Sequence, residues 1–405
     1  MKSTAYILAA LLCGTALAPV AMAQEKTIRI GALTDLSGLY ADTSGAGSRL
    51  AAEMAVEDSG LVAKGWKIDV IVADHQNKPD IASSLARQFY DVDKVDVIVD
   101  GVNSGAGLAI AGVAKEKNKA FLDSGAASSD LTGIACNVDT IHWSYDTYML
   151  ANGTGKAVVK NGGDTWFFLT ADYTFGAALE RDTTAVINAN GGKVLGAVKH
   201  PLNSSDFSSF LLQAQASKAK IVGLANAGGD TTNSIKQSAE FGIVAGGQKL
   251  AALLVFISDV HSLGLQVAQG LQLTSSFYWD LNDGTRAFSD RFSKRMKNGF
   301  KPTMVQAGVY SSVIHFLKAA DALNGDVKDG AKVVAKMKEL PTDDPLFGKG
   351  TVREDGRKIH PAYLFEVKKP SESKYAWDYY TLKATIPATE AFRPLSESAC
   401  PLVKK

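Results

Sequence analysis

The sequence predicts an α/β protein made of two doubly wound lobes, each a mainly parallel sheet covered by helices on both faces. Short apolar runs alternate with helical segments along most of the chain, which is the pattern of a covered parallel sheet. This series occurs twice, on either side of Ile141. The chain of 405 residues also exceeds what one hydrophobic core usually supports, so two lobes are expected.

The clearest unit of the first half lies between Val95 and Ser129. An apolar run, a helix and a second apolar run follow one another within about 30 residues, which predicts a βαβ unit. Each run ends in a loop of small residues, at 101–107 and 123–129. Because the carboxyl ends of parallel strands meet at one edge of a sheet, both loops lie where open α/β sheets bind ligands. The elements predicted before this unit are strands at 27–33 and 66–73 and helices at 48–58 and 80–90.

The second half repeats this alternation after a segment rich in aromatic residues. The predicted strands are 165–170, 192–198, 220–224, 250–257 and 270–278, and the predicted helices are 175–190, 207–219, 231–241, 285–299, 305–323 and 329–340. A hairpin is predicted from 351–357 and 362–367, with one more strand at 377–382. Two similar α/β units side by side imply a cleft between them.

The N-terminus predicts export from the cytoplasm. Lys2 precedes an apolar run from Tyr6 to Val20, and Ala21-Met22-Ala23 fits the small-x-small cleavage rule. We therefore predict a signal peptide at residues 1–23 and a periplasmic protein. A membrane anchor is the alternative, but the apolar run is short for a membrane span.

The net charge indicates which partners are not expected, and the cysteines predict a disulfide. The formal charge is +1, from 43 basic and 42 acidic residues, so neither a nucleic-acid partner nor an anionic membrane surface is predicted. The mature chain keeps Cys136 and Cys400. In an oxidising compartment they predict one disulfide that ties the tail to the body of the protein. Two free buried thiols are the alternative.

No motif for catalysis fits this sequence. Ser104 in NSGAG and Ser124 in DSGAA superficially look like hydrolase nucleophiles, but neither lies in a Gly-x-Ser-x-Gly window. The segment GAGLAIAG lacks the Lys-Ser/Thr of a P-loop. The six histidines are scattered, without a pair at metal-ligand spacing. No catalytic residue, metal or cofactor is therefore predicted, and an enzyme is kept as the last alternative.

A binding site is the better-supported interpretation of the two small-residue loops. Ser104 and Ser128 offer hydroxyls, and Gly105 and Ala127 offer backbone amides. Helix N-termini after these loops add partial positive charge, so a carboxylate is the expected guest. The alternative is that the glycines serve only to make tight turns. The aromatic residues proposed as walls include Tyr40, Tyr145, Phe175 and Trp279.

Several long stretches resemble the periplasmic solute-binding proteins of ABC transporters for branched-chain amino acids. They are IRIGALTDLSGLYADTSGAGSRLAAEMAVED, the NSGAG and SGAASSD loops, and TWFFLTADYTFGAALERD. The resemblance extends from Lys26 to Val367. It implies the type I periplasmic-binding-protein fold, in which three crossovers form a hinge between two lobes that close on a ligand. The implied division is 27–143 plus 278–355 for the N-terminal lobe, 144–277 plus 356–390 for the C-terminal lobe, and 391–405 for the tail.

The resemblance also assigns residues to the site. In amino-acid-binding relatives, a Ser in the first loop and a Ser/Thr-rich second loop hold the α-carboxylate. Ser104 matches the first position, and Ala127 followed by Ser128 stands at the second. Phe175 matches an aromatic residue of the second lobe. The predicted ligand-binding residues are Tyr40, Ser104, Gly105, Gly125, Ala127, Ser128, Tyr145, Phe175, Asp230, Phe256 and Trp279.

One departure from the family bears on the ligand. The acid that relatives use for the α-ammonium group should fall between Leu253 and Phe256, where this chain has Leu-Leu-Val-Phe. A buried ammonium without its carboxylate would be poorly paired, although Asp230 offers a substitute. We therefore hypothesise an aromatic or aliphatic carboxylate, or another small organic solute, in place of an ordinary α-amino acid.

These observations predict the substrate-binding component of an ABC transporter. It would capture a small carboxylate-bearing solute and deliver it to an inner-membrane permease. We expect a monomer without a cofactor. A ligand sensor for a membrane receptor would use the same fold and is the alternative function.

Overall fold

The computed structural model describes residues 26–404. The predicted signal peptide therefore lies outside the described residues. Within residues 26–404, no helix is both long enough and apolar enough to cross a membrane. The described chain folds into two α/β lobes, each built on its own parallel sheet.

The first sheet has five parallel strands in the order β2-β1-β3-β4-β5. Its elements are β1 (Thr27–Thr34), α1 (Gly45–Asp58), β2 (Lys67–Asp74), α2 (Pro79–Asp91), β3 (Val97–Asp100), α3 (Ser104–Lys117), β4 (Ala120–Asp123) and β5 (Thr140–His142). Strands β3 and β4 are buried along their whole length, as expected for strands covered on both faces. The strand order reverses between β1 and β3, so the loops after these strands border the usual ligand crevice.

The second sheet repeats this order over four parallel strands, β7-β6-β8-β9. Its elements are α4 (Thr147–Leu150), α5 (Lys156–Lys160), β6 (Thr165–Ala171), α6 (Thr174–Ala189), β7 (Lys193–His200), α7 (Ser208–Ala216), β8 (Ile221–Ala225), α8 (Gly229–Glu240), β9 (Lys249–Ala252), α9 (Ile257–Leu263) and α10 (Leu265–Ala268). The order reverses between β6 and β8, which gives this lobe a matching crevice.

After the second sheet, the chain returns to the first lobe and then leaves it again. The remaining elements are β10 (Gln272–Ser275), α11 (Asp283–Arg295), α12 (Met304–Ala322), α13 (Gly330–Glu339), β11 (Thr351–Val352), β12 (Lys358–Ile359), β13 (Ala362–Val367), β14 (Tyr380–Ile386) and α14 (Ala388–Ala391). Helix α12 packs against α1, β3 and β4. Strands β10, β13 and β14 form a separate antiparallel sheet. The exact lobe boundaries stay a prediction.

Two predicted strands differ from the structure. The strand predicted at 250–257 ends at Ala252, and helix α9 begins at Ile257. The Asp259 carboxylate accepts the N–H of Phe256 at 2.8 Å and so caps this helix. The predicted hairpin is also wrong, since β13 pairs with β10 and β14, whereas β11 pairs with β12.

Two tertiary links lie near the predicted crossovers. Arg357 is fully buried, and its guanidinium donates to the carbonyl oxygens of Trp143 at 2.8 Å and Tyr145 at 3.0 Å. These bonds join the chain near the predicted lobe boundary at 143/144 to the chain near the predicted boundary at 355/356. Cys136 and Cys400 form a disulfide with their Cα atoms 5.6 Å apart, which confirms the predicted pairing and holds the C-terminal tail against the first lobe.

Candidate functional site

The loops that follow the strands of the two sheets face each other across a narrow cavity. Its volume is about 20 Å³, which is on the order of the space one water molecule needs. Walls packed this closely must move apart before a larger ligand can enter. The cavity is lined by Tyr40, Val102, Asn103, Ser104, Gly125, Ala127, Tyr145, Tyr173, Phe175, Ala227, Leu254 and Phe256.

Ser104 begins helix α3 and connects the two small-residue loops of the first lobe. Its Oγ accepts the N–H of Ala127 at 3.2 Å and the N–H of Ser128 at 3.1 Å. A serine hydroxyl has two acceptor sites and one donor. Ser104 therefore has its own O–H to donate, and both loops meet at its oxygen.

The two predicted glycines use their amides within the protein. The N–H of Gly105 donates to Asn103 Oδ1 at 3.0 Å, because Asn103 caps α3 with a left-handed φ of 81°. The N–H of Gly125 donates to Asp123 Oδ1 at 2.9 Å. Its carbonyl oxygen accepts the Tyr145 hydroxyl at 2.9 Å. These bonds fix the shape of the loops, and of the two glycines only Gly125 belongs to the lining.

Aromatic rings form much of the cavity wall. Tyr145 meets Phe256 edge to face with ring centroids 6.2 Å apart, and Tyr173 lies 5.9 Å from Phe175. Such rings present a large apolar surface and a favourable edge for a flat guest. Burial raises the pKa of Tyr145 well above its usual value, so its hydroxyl stays a neutral donor at physiological pH.

A hydrogen bond joins the two lobes at this cavity. The hydroxyls of Tyr40, from the loop after β1, and Tyr173, from the loop after β6, lie 2.5 Å apart. Burial, followed by the neighbouring Tyr173, raises the pKa of Tyr40. Since two neutral phenols share one bond, one of them donates and the other accepts. The bond can form only while the two loops are held together.

Four predicted site residues lie outside the cavity lining: Gly105, described above, and Asp230, Trp279 and Ser128. The Asp230 carboxylate accepts the N–H groups of Asn203 at 3.0 Å and Ser204 at 2.8 Å. Trp279 donates from Nε1 to the carbonyl oxygen of Trp377 at 2.9 Å and lines a separate hollow. The Ser128 hydroxyl oxygen accepts the N–H of Asp130 at 3.3 Å. The structure therefore brings the other seven predicted residues together at the cavity without these four.

The cavity is uncharged among its described lining residues. None of the lining side chains is acidic or basic, so an anion here would be held by hydroxyl and amide donors. A larger cavity of about 470 Å³ lies at the amino ends of β8 and β9, beside Lys220, Lys249 and Gln272. Ligands of parallel sheets bind at the carboxyl ends of the strands, so we assign the candidate site to the smaller cavity.

Sequence reasoning missed five lining residues: Val102, Asn103, Tyr173, Ala227 and Leu254. Tyr173 could have been found, because it stands in the loop after β6, two residues before the predicted Phe175. Asn103 and Val102 also lie within a predicted loop. Leu254 was not predicted, because it was assigned to the interior of a strand at 250–257. In the structure it lies in the loop between β9 and α9.

The fold and this placement of loops define a class of protein. Residues 27–374 match the family described as periplasmic binding protein. Because the match covers most of the chain, this protein belongs to that family. The family and fold are those of transport solute-binding proteins, which are not enzymes, and they imply a periplasmic location.

Similar proteins agree with this assignment. A periplasmic binding protein from Burkholderia mallei is 53% identical, with a TM-score of 0.90 over 94% of this chain and 100% of that one. A branched chain amino acid ABC transporter periplasmic ligand-binding protein from Burkholderia xenovorans is 40% identical, with a TM-score of 0.82 over 93% of this chain and 100% of that one. A Leu/Ile/Val-binding protein homolog of Brucella melitensis is 22% identical over 363 residues, 87% of this chain and 90% of that protein. The predicted fold and family are confirmed.

Proposed function

We propose that this protein captures a small carboxylate-bearing solute between its lobes and delivers it to an inner-membrane ABC permease. The observation that carries the proposal is the cavity at the switch points of both sheets. It combines the Ser104 hydroxyl and the main chain of Gly125 and Ala127 with aromatic walls. A pocket with apolar walls and a few convergent donors is typical of small-ligand sites.

The lining favours a carboxylate that lacks an α-ammonium group. Among the described lining residues there is no acid, and both oxygens of Asp230 accept main-chain N–H groups elsewhere. An ammonium group buried here would lack a carboxylate partner, which typically costs several kcal/mol. Tyr145, Phe175 and Phe256 suit an aromatic or aliphatic acid.

Capture would follow from hinge bending, as in other two-lobed binding proteins. With the lobes apart, the Tyr40–Tyr173 bond is broken and the loops around Ser104 are open to solvent. Closure buries the ligand and re-forms the bond. The closed lobes then present one continuous surface, which the permease would recognise.

Two measurements test the ligand class. Mass spectrometry of the purified protein would identify a solute that copurifies with it. Calorimetric titration with leucine, benzoate and a 2-oxo acid should give binding for an acid without an α-ammonium group and none for leucine. Tight leucine binding would overturn the ligand class, and a failure of every small carboxylate to bind would overturn the proposal itself.

A deletion strain tests the role in transport. Loss of uptake of the bound solute, restored by the wild-type gene, would support a transport function. If uptake persists while a cellular response to the solute disappears, the ligand-sensor alternative replaces it.

A further inference from the structure

Two buried carboxyl groups lie directly beneath the loops that line the cavity. Asp100 ends β3 and Asp123 ends β4, and the two residues are partners in the register of these parallel strands. Neither is exposed to solvent. Asp100 also has a φ of 81°, a sparsely populated conformation for a residue other than glycine, which is often found at functional sites.

The hydrogen bonds of this pair are incomplete within residues 26–404. Both side-chain oxygens of Asp100 and the Oδ2 of Asp123 have no hydrogen-bond partner among the described residues. The hydroxyls of Thr34 and Ser48 are near enough to lower the pKa of Asp100 but do not meet hydrogen-bond geometry. Two ionised carboxylates side by side in a dry interior repel each other, so one of them gains a proton.

The surroundings do not supply enough positive charge to offset this repulsion. Burial raises the pKa of Asp100 to about 7 and raises the pKa of Asp123 well above its usual value. The negative charge of Asp35 raises the pKa of Asp100 further. The positive charge of Arg357 lowers the pKa of Asp123 and so opposes the effect of burial. The titratable groups that face the pair are Asp35, His142, Tyr145 and Arg357.

The pair is connected to the proposed ligand site through the second loop. Asp123 Oδ1 accepts the N–H groups of Gly125 at 2.9 Å and Ala126 at 2.8 Å. The carbonyl oxygen of Gly125 in turn accepts the Tyr145 hydroxyl at 2.9 Å. A ligand carboxylate at this loop would therefore add a further negative charge close to the pair.

We propose that the Asp100–Asp123 pair carries a proton when the cavity holds an anionic ligand, so that ligand capture takes up protons. The inference rests on the proposed function, because it concerns the same site. A proton on the pair removes the repulsion between the buried carboxyls and the incoming anion, which is strong where water is excluded. Affinity should then fall as pH rises, since deprotonation of the pair opposes binding.

Calorimetric titration with benzoate tests the linkage. We expect the Kd to rise by up to about tenfold per pH unit above pH 7. Two buffers of different ionisation enthalpy should reveal net proton uptake on binding. The Asp100→Asn variant, neutral and tolerant of a positive φ, should flatten this pH profile. Asp164→Asn, at an exposed ion pair outside the site, is the matched control and should keep the wild-type slope.

Three results would overturn the inference. One is a Kd that is constant across this pH range in both buffers. Another is a slope that persists in both Asp100→Asn and Asp123→Asn. A third is a Kd that depends on Na⁺ at fixed pH, which would assign the pair to a cation.

A measurement without ligand separates this inference from the proposed function. Infrared difference spectra between the wild type and the Asp100→Asn/Asp123→Asn double variant at pH 6 should show the carbonyl band of a protonated carboxyl group in the wild type. Absence of the band in the wild type would overturn the proton pair. Failure of benzoate and other carboxylates to bind, with the band present, would count against the proposed function alone.

Discussion

At the scale of single residues, Ser104 is the polar centre of the candidate site. It accepts two amides of the second loop and has its hydroxyl proton to donate. We expect Ser104→Ala to weaken carboxylate binding by about 1–3 kcal/mol, the cost of a lost charge-assisted hydrogen bond. Isothermal titration calorimetry measures the change in Kd.

Ser209→Ala is the control for this substitution. Ser209 is an exposed serine in the first turn of α7, so the same chemical change is made far from the cavity. Its Kd should match that of the wild type. An unchanged Kd in Ser104→Ala would remove Ser104 from the site.

The Tyr40–Tyr173 hydrogen bond should contribute to closure. We expect Tyr40→Phe and Tyr173→Phe each to weaken ligand binding by about 1 kcal/mol, the usual worth of such a bond. The double variant should lose no more than either single variant, because both remove the same interaction. Additive losses in calorimetry would mean that the two hydroxyls act independently of each other.

Sequence reasoning located the loops of the site better than it located their hydrogen bonds. Ser104 and Phe175 could be predicted because they follow apolar runs, and the carboxyl ends of parallel strands converge. The capping of α3 by Asn103 depends on a left-handed backbone that the sequence does not reveal. The sequence offered Asp230 as an acid for a ligand ammonium group. In the structure its carboxylate instead accepts the N–H groups of Asn203 and Ser204. The ligand-binding roles of these residues stay predictions.

At the scale of elements, the disulfide secures the C-terminal tail. Cys136 and Cys400 are 264 residues apart in sequence, so their bond restricts the unfolded chain strongly. We expect the Cys136→Ser/Cys400→Ser variant to lose about 2–4 kcal/mol of unfolding free energy. Denaturant titration measures the loss. Dithiothreitol should destabilise the wild type and leave the variant unchanged; equal stability of the two oxidised proteins would contradict the prediction.

Local sequence patterns predicted most helices. They did not predict which strands pair when the partners are far apart in the sequence. The spacing of apolar residues placed α12 within one residue at each end, because one face of a helix must be buried. The apolar run at 250–257 was ambiguous, since periodicity cannot separate a buried strand from the start of a buried helix. Strand β13 pairs with β10, about ninety residues earlier in the chain, which no local pattern specifies.

At the scale of the whole molecule, function depends on the two lobes moving relative to each other. The cavity of about 20 Å³ is too small for an organic acid unless its walls separate. We expect small-angle X-ray scattering to show a smaller radius of gyration with ligand than without it, as hinge closure requires. An identical radius in both states would argue against capture by lobe closure.

The most direct test of the account is a crystal structure of the protein with the solute that it copurifies with or binds most tightly. The account predicts that the ligand carboxylate lies between the two sheets, within hydrogen-bond distance of the Ser104 hydroxyl, and that Tyr145, Phe175 and Phe256 pack against its apolar part. A ligand bound elsewhere, with Ser104 and the Gly125 turn away from it, would contradict the account.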